Sequence, residues 1–192
     1  MARWKPDARE RLARAAIELF DEQGFADTTV PQITERAGLT TRTFYRHFAD
    51  KREVLFGPEQ DPATVDAVLE GVPEGAGVAE LLAWGLGILA DGFAPHREQM
   101  RATQSLIASD AGLQERALRK REGICGAIDV ALRRHGLEQD RARLLAEATV
   151  SALYVALDRW LASDTETRID VLALEALSGL GEDLTGIERV SR

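Results

Sequence analysis

The stretch Leu39-Thr40-Thr41-Arg42-Thr43-Phe44-Tyr45-Arg46-His47-Phe48 decides how the rest of the chain is read. Phe44 and Phe48 stand four residues apart, the spacing that puts two side chains on one face of a helix. Thr41, Arg42, Thr43, Tyr45, Arg46 and His47 fill the other positions, all hydrogen-bond donors and none acidic. Burial explains the aromatic face. It does not explain a donor-only exterior on a chain of formal net charge −8.

Upstream, the segment from Asp7 to Gln23 carries Leu12, Ala13, Ala16, Ile17, Leu19 and Phe20 as a broad helical stripe, and Gly24 sits where a C-terminal cap belongs. Thr29 with Gln32 three residues on predicts a Thr-x-x-Gln capping box, and Pro31 is tolerated in the first helical turn. The second helix, Val30 to Ala37, then packs through Val30, Ile33 and Ala37 and stops at Gly38. Thr40 is the natural N-cap of a third helix, and Asp50 with Glu53 starts a fourth. Two short helices joined by a tight glycine-containing turn, the second rich in donors, describe a helix-turn-helix.

Several spaced motifs carry a family resemblance: Phe20-x-x-x-Gly24-Phe25, Thr28-Thr29-Val30, Ile33-Thr34-Glu35-Arg36-Ala37-Gly38-Leu39, Thr43-Phe44-Tyr45-Arg46-His47-Phe48 and Lys51. Together they resemble the TetR family of transcriptional regulators, over roughly the first third of the chain. The resemblance implies an all-α homodimer with an N-terminal three-helix helix-turn-helix head and a larger C-terminal helical domain for ligand sensing and dimerisation. It places Thr41 and Arg42 on base edges, where arginine reads guanine through its bidentate fork. Thr43, Tyr45, His47 and Lys51 fall at phosphate positions, as does Thr29, while Arg46 falls between base edge and backbone. Pro31 departs from the pattern, since many relatives carry a basic or polar residue there. Arg3, Lys5, Arg9, Arg11 and Arg14 lie between a phosphate or minor-groove role and plain solvated charge.

The domain boundary is expected between residues 1–56, the DNA-binding head, and residues 57–192, the ligand-binding and dimerisation body. Gly57-Pro58 interrupts the fourth helix, and Asp61-Pro62 opens another to about Leu69. Helices are then expected at Val78 to Phe93, Pro95 to Ser109, Gly112 to His135, Asp140 to Ala162 and Glu166 to Leu180, with a weakly ordered tail after Gly181. The Leu144 to Leu161 segment is apolar on two sides. Leu145, Thr149, Leu153, Ala156 and Trp160 form one stripe, and Ala148, Ser151, Ala152 and Val155 form a second of small residues. A helix apolar on two sides must be covered on two sides. The resemblance implies a homodimer through the last two long helices.

Ligand sites are mostly apolar with a few placed polar groups. Trp84, Ile88, Met100, Gln104, Ile128, Tyr154 and Trp160 are the candidate effector contacts in the body, with Ile124 and Thr149 beside them. An enzyme is not expected. His47, His96 and His135 are isolated, no set of ligands has metal spacing, and Gly85-x-Gly87 with Gly92 fails the dinucleotide fingerprint. No metal or cofactor is therefore predicted. Cys125 has no sequence neighbour to activate it and reads as a small hydrophobe.

Charge is unevenly spread. Met1 to Phe56 holds ten Lys and Arg against nine Asp and Glu, and the remainder holds fourteen against twenty-three. Duplex DNA is therefore expected at the head and not along the acidic body. The single cysteine suits a reducing cytoplasm, the charged N-terminus reads as no signal peptide, and no apolar run is expected to reach the roughly 20 residues of a membrane span. The prediction is a cytoplasmic, ligand-responsive DNA-binding regulator, a repressor released by a small molecule. A helical protein-interaction module without DNA binding, or an activator of the same fold, is the alternative.

Overall fold

A computed structural model describes residues 7–56, 62–163 and 166–185. Among these the regular structure is helical: α1 (Ala8–Gln23), α2 (Val30–Ala37), α3 (Thr41–His47), α4 (Glu53–Phe56), α5 (Pro62–Gly71), α6 (Val78–Phe93), α7 (Arg97–Ser109), α8 (Ala111–Arg134), α9 (Gln139–Ala162) and α10 (Ile169–Leu184). A 3-10 turn at Ala94–His96 joins α6 to α7. The all-α class expected from the sequence holds. The break at Gly57-Pro58 and the Asp61 start lie outside the described residues, as do Arg3 and Lys5.

Two compact units divide the chain, one of residues up to 59 with 98–120, the other of 60–97 with 121 onward. In the first, the core is Leu12, Ala16, Leu19 and Phe20 of α1 against Ile33, Phe44 and Phe48. Leu113 from the start of α8 is fully buried in the same core, with Leu106 and Ile107 of α7 packed at its edge. The head's hydrophobic core thus draws on residues more than fifty positions beyond Phe56. Sequence periodicity ranks such residues as apolar but does not say which core they enter.

Local chemistry sets the short helices. Thr29 caps α2, its amide donating to Gln32 Oε1 at 2.8 Å and its hydroxyl accepting from Gln32 N at 3.5 Å, the predicted capping box. Gly38 ends α2 at φ +62°, a left-handed conformation that favours glycine. Leu39 N donates to Thr34 O and Gly38 N to Glu35 O, which closes the helix as a Schellman turn. Thr40 caps α3 by accepting from Thr43 N at 3.1 Å. At α4, Asp50 accepts from the Arg52 and Glu53 amides, but the Glu53 carboxylate reaches back to Ala49 N, one residue earlier than an Asp-x-x-Glu box requires.

In the second unit, α9 and α10 pack along each other, and Leu81, Leu132, Ala142 and Ala146 form a central cluster. Gly71 ends α5 beneath the Trp84 ring, where a Cβ would stand 2.7 Å from the indole, so glycine is needed for that approach. Arg168 holds α10 to α6, donating to Asp91 at 2.7 Å and to Asp170 at 3.0 Å. Arg97 covers the C-terminal end of α9, donating to the Trp160 and Ser163 carbonyls with its guanidinium 4.7 Å from the Trp160 ring. Gly136, at φ +97°, ends α8 as the sequence suggests, and His135 Nε2 lies 2.8 Å from Ala76 O.

Two expectations need correction. The last helix begins at Ile169 and runs to Leu184, so the chain stays helical past Gly181; residues 186–192 lie outside the described ones. An apolar stretch of membrane-spanning length does exist: Val78–Ser109 contains an 18-residue window of mean hydropathy 1.3. Within it, Leu81, Leu86 and Ala90 of α6 are buried in the second unit.

Phe44 is 0 % exposed, and its ring lies 5.4 Å from that of Phe48. Phe44→Ala is expected to lower the unfolding free energy by about 3–5 kcal/mol, measured by urea denaturation at fixed protein concentration. A loss below about 0.5 kcal/mol, the range of ordinary surface changes, would show that the head does not depend on this anchor.

Candidate nucleic-acid interface and effector cavity

With Phe44 and Phe48 turned inward, α3 exposes Thr41, Arg42, Tyr45 and Arg46 and leaves Thr43 and His47 half-buried. Tyr45 is 58 % exposed and meets the edge of Phe44 at 5.5 Å. Thr43 Oγ1 is engaged with Thr40 Oγ1 at 2.9 Å, and an Arg46 guanidinium nitrogen lies 3.4 Å from His47 Nε2. Thr29 is exposed at the N-terminus of α2, in the same head. The predicted donor-rich surface therefore forms.

Lys51, which the resemblance puts at a phosphate position, is tied within the head in this structure. Its Nζ donates to Phe25 O at 2.7 Å, Thr28 O at 2.9 Å and Ala26 O at 3.2 Å, and it sits 4.4 Å from the centre of the Phe25 ring. An ammonium has three hydrogens, and all three have acceptors here. A phosphate contact would require one of these bonds to be released. Burial, with the neighbouring Arg52 charge, pulls the Lys51 pKa below its ordinary value. The same turn is tied by Thr28, which donates to Gly24 O at 2.8 Å, and by Gln23 Nε2, which reaches Asp27 O, Thr28 Oγ1 and Gln32 Oε1.

Two arginines of α1 also turn inward. Arg9 donates to His47 O at 3.4 Å with its guanidinium 4.8 Å from the Phe48 ring, and Arg11 donates to Ala37 O. Each thus meets a last-turn carbonyl of α3 or α2, where a cation is favoured by the helix dipole. Arg14 faces Glu10 at 3.6 Å, and Arg36 pairs with Glu22 through bonds of 2.6 and 2.7 Å, which lowers the Glu22 pKa.

In the second unit, α5, α6, α8 and α9 line a partly open cavity of about 100 Å³. Ile88 and Ile128 line it, with Ile124 and Thr149. The other candidates do not. Trp84 lies over Gly71, Trp160 is buried against Arg97, and Tyr154 is covered by Arg121, 5.0 Å from its ring. Met100 and Gln104 belong to the other compact unit. Residues not singled out complete the wall, among them Val65 and Val68 of α5 and Gly85 of α6. Their signal was periodic: Leu81, Gly85 and Ile88 repeat at helical spacing, as do Ile124, Ala127, Ile128 and Ala131. Small and aliphatic residues such as Leu81, Gly85, Ala127 and Ala131 look in the sequence like those of any helical core. Cys125 is half-buried, and burial together with Glu147 pushes its thiol pKa up, away from thiolate chemistry.

The head matches the family model for bacterial regulatory proteins of the tetR family over residues 12–56. Over 186 residues the chain is 34% identical to the HTH-type transcriptional regulator TcmR of Streptomyces glaucescens, covering 88% of this chain and 77% of that protein. The chain belongs to the TetR family. It is a DNA-binding transcriptional regulator of that family. The fold agrees with solved TetR-family structures at low identity. The Thermus thermophilus FadR, a repressor in complex with lauroyl-CoA, is 22% identical with a TM-score of 0.55, covering 92% of this chain and 94% of that one. A SmeT–triclosan complex is 22% identical with a TM-score of 0.58, covering 90% of each chain.

For this TetR-family head, the Lys51 geometry leads to a measurable outcome. Lys51→Met should lower stability by about 1–3 kcal/mol, because three carbonyls lose a charged donor. The salt dependence of DNA binding should be the same as the parent's. A salt slope flattened by about one unit with stability unchanged would return Lys51 to the phosphate backbone.

Proposed function

We propose that the protein is a cytoplasmic homodimeric repressor whose two recognition helices read DNA half-sites and whose operator complex is released by a small molecule in the second unit. The observation that carries the DNA reading is the exposed donor-only face of α3 on an aromatic anchor, within an otherwise acidic chain. Thr41 and Arg42 are assigned to base edges, Thr29, Thr43, Tyr45 and His47 to phosphates, and Arg46 to either. Lys51 serves the turn that presents Thr29. The effector reading rests on the apolar cavity, and the lauroyl-CoA and triclosan complexes of structural neighbours support it. That the Thermus protein is a repressor favours repression over activation.

The dimer reading rests on α9 and α10. Leu144 is 72 % exposed and Val155 51 %, and with Ala148 and Ser151 they form one stripe along α9. Ala152, expected in that stripe, is instead buried within the subunit. On α10, Leu180 and Leu184, four residues apart on one face, are also exposed. Close approach of a second copy would bury both faces. It would also pair two heads with half-sites about 34–36 Å apart, or a multiple of that.

Bound duplexes selected from a random pool would supply the operator. On it, Arg42→Ala should cost about 1–3 kcal/mol at one base pair and relax preference there, with affinity falling steeply as salt rises. A salt-insensitive complex, or unchanged base preference in Arg42→Ala, would defeat the assignment. Sedimentation at micromolar concentration should give twice the monomer mass, and Val155→Glu should give the monomer. A parent protein sedimenting as a monomer would end the dimer reading.

A further inference from the structure

The effector cavity is selective in its chemistry. Among the described residues its wall holds no charged side chain and no aromatic ring. Thr149 is its one polar side chain, 1 % exposed, and its hydroxyl already donates to Leu145 O at 2.7 Å. A hydroxyl so engaged keeps only acceptor capacity. Gly85 marks the wall in another way. A Cβ there would meet Val68 Cγ1 at 3.7 Å, an ordinary contact, so helix packing tolerates a side chain at this position. Its absence leaves room in the cavity.

Transferring an ionised group into such a wall costs several kcal/mol unless a partner charge is present, and the described lining residues supply none. We propose that the cavity takes a compact, uncharged aliphatic or alicyclic molecule, recognised by shape, with Gly85 setting the width of the site and Thr149 accepting at most one hydrogen bond. This rests on the reading of the cavity as the effector site and names the class of effector. Burying a carboxylate or an ammonium against this wall is disfavoured, because its described residues offer neither a counter-ion nor a cluster of donors.

The probes are 1-hexanol, hexanoate and hexylammonium, which share one chain and differ in charge. Binding to the full-length protein is read from the methyl resonances of Ile88, Ile124 and Ile128. The expected result is saturable shifts with 1-hexanol and binding at least about tenfold weaker for both ions. Gly85→Leu should weaken 1-hexanol at least about tenfold by filling the space. If that variant does not fold, Gly85→Ala, which the wall admits without strain, should weaken it by a smaller factor. Equal or tighter binding of either ion, no shift with 1-hexanol up to its solubility limit, or unchanged affinity in the Gly85 variants would overturn the proposal. Cavity shifts with 1-hexanol that leave the operator complex intact would support the ligand class while removing the effector role.

Discussion

A recognition helix of seven residues cannot hold itself together in water. Helix nucleation is costly, and isolated helices shorter than about 12–15 residues are marginal at best. The interaction on which this protein depends is therefore the burial of Phe44 and Phe48 into the core of α1 and α2. Burial fixes one face of α3 but leaves its last carbonyls without helical partners. Arg9 supplies one of the missing donors from α1, Arg11 does the same for α2, and Lys51 serves the turn between α1 and α2. Packing and carbonyl capping together turn two short peptides into a rigid reading surface.

The second unit rests on a different balance. Its long helices are stable enough to leave a cavity in their midst, and small residues, Gly85, Ala127 and Ala131, make that cavity possible. The ties lie at its margins. Arg168 links α10 to α6, Arg97 covers the end of α9, and Arg134 pairs with Asp66 of α5. The charged groups are thus kept at helix ends and surfaces, away from the apolar wall. Placement of this kind allows an apolar ligand to be enclosed without burying an unpaired charge.

Much of this was legible in the amino-acid order because local rules governed it. The Thr29–Gln32 capping box, the Gly38 stop and the Thr40 cap are short-range chemistry, and the structure follows them closely. The same holds for the aromatic face of α3. Long-range partnerships were not legible. Nothing local to Leu113 says that it completes the core around Phe44, and nothing local to Lys51 says that its ammonium faces three carbonyls 23 to 26 residues away. Most of the cavity wall was illegible for a related reason, Ile88, Ile124, Ile128 and Thr149 aside. Aliphatic and small residues at helical spacing are the signature of any core, and only the packing shows where that core is left hollow.

The inward turn of the head's cations bears on how the protein searches a genome. Affinity for arbitrary duplex comes mainly from cations laid on phosphates. Here Arg9, Arg11, Arg36 and Lys51 are committed to carbonyls or carboxylates within the head, while Arg42 and Arg46 stand exposed on α3. The same bonds that stiffen the reading surface thereby thin the sticky, sequence-blind layer around it. On the proposed assignment, discrimination between sequences would then rest on α3 and its exposed Arg42 and Arg46.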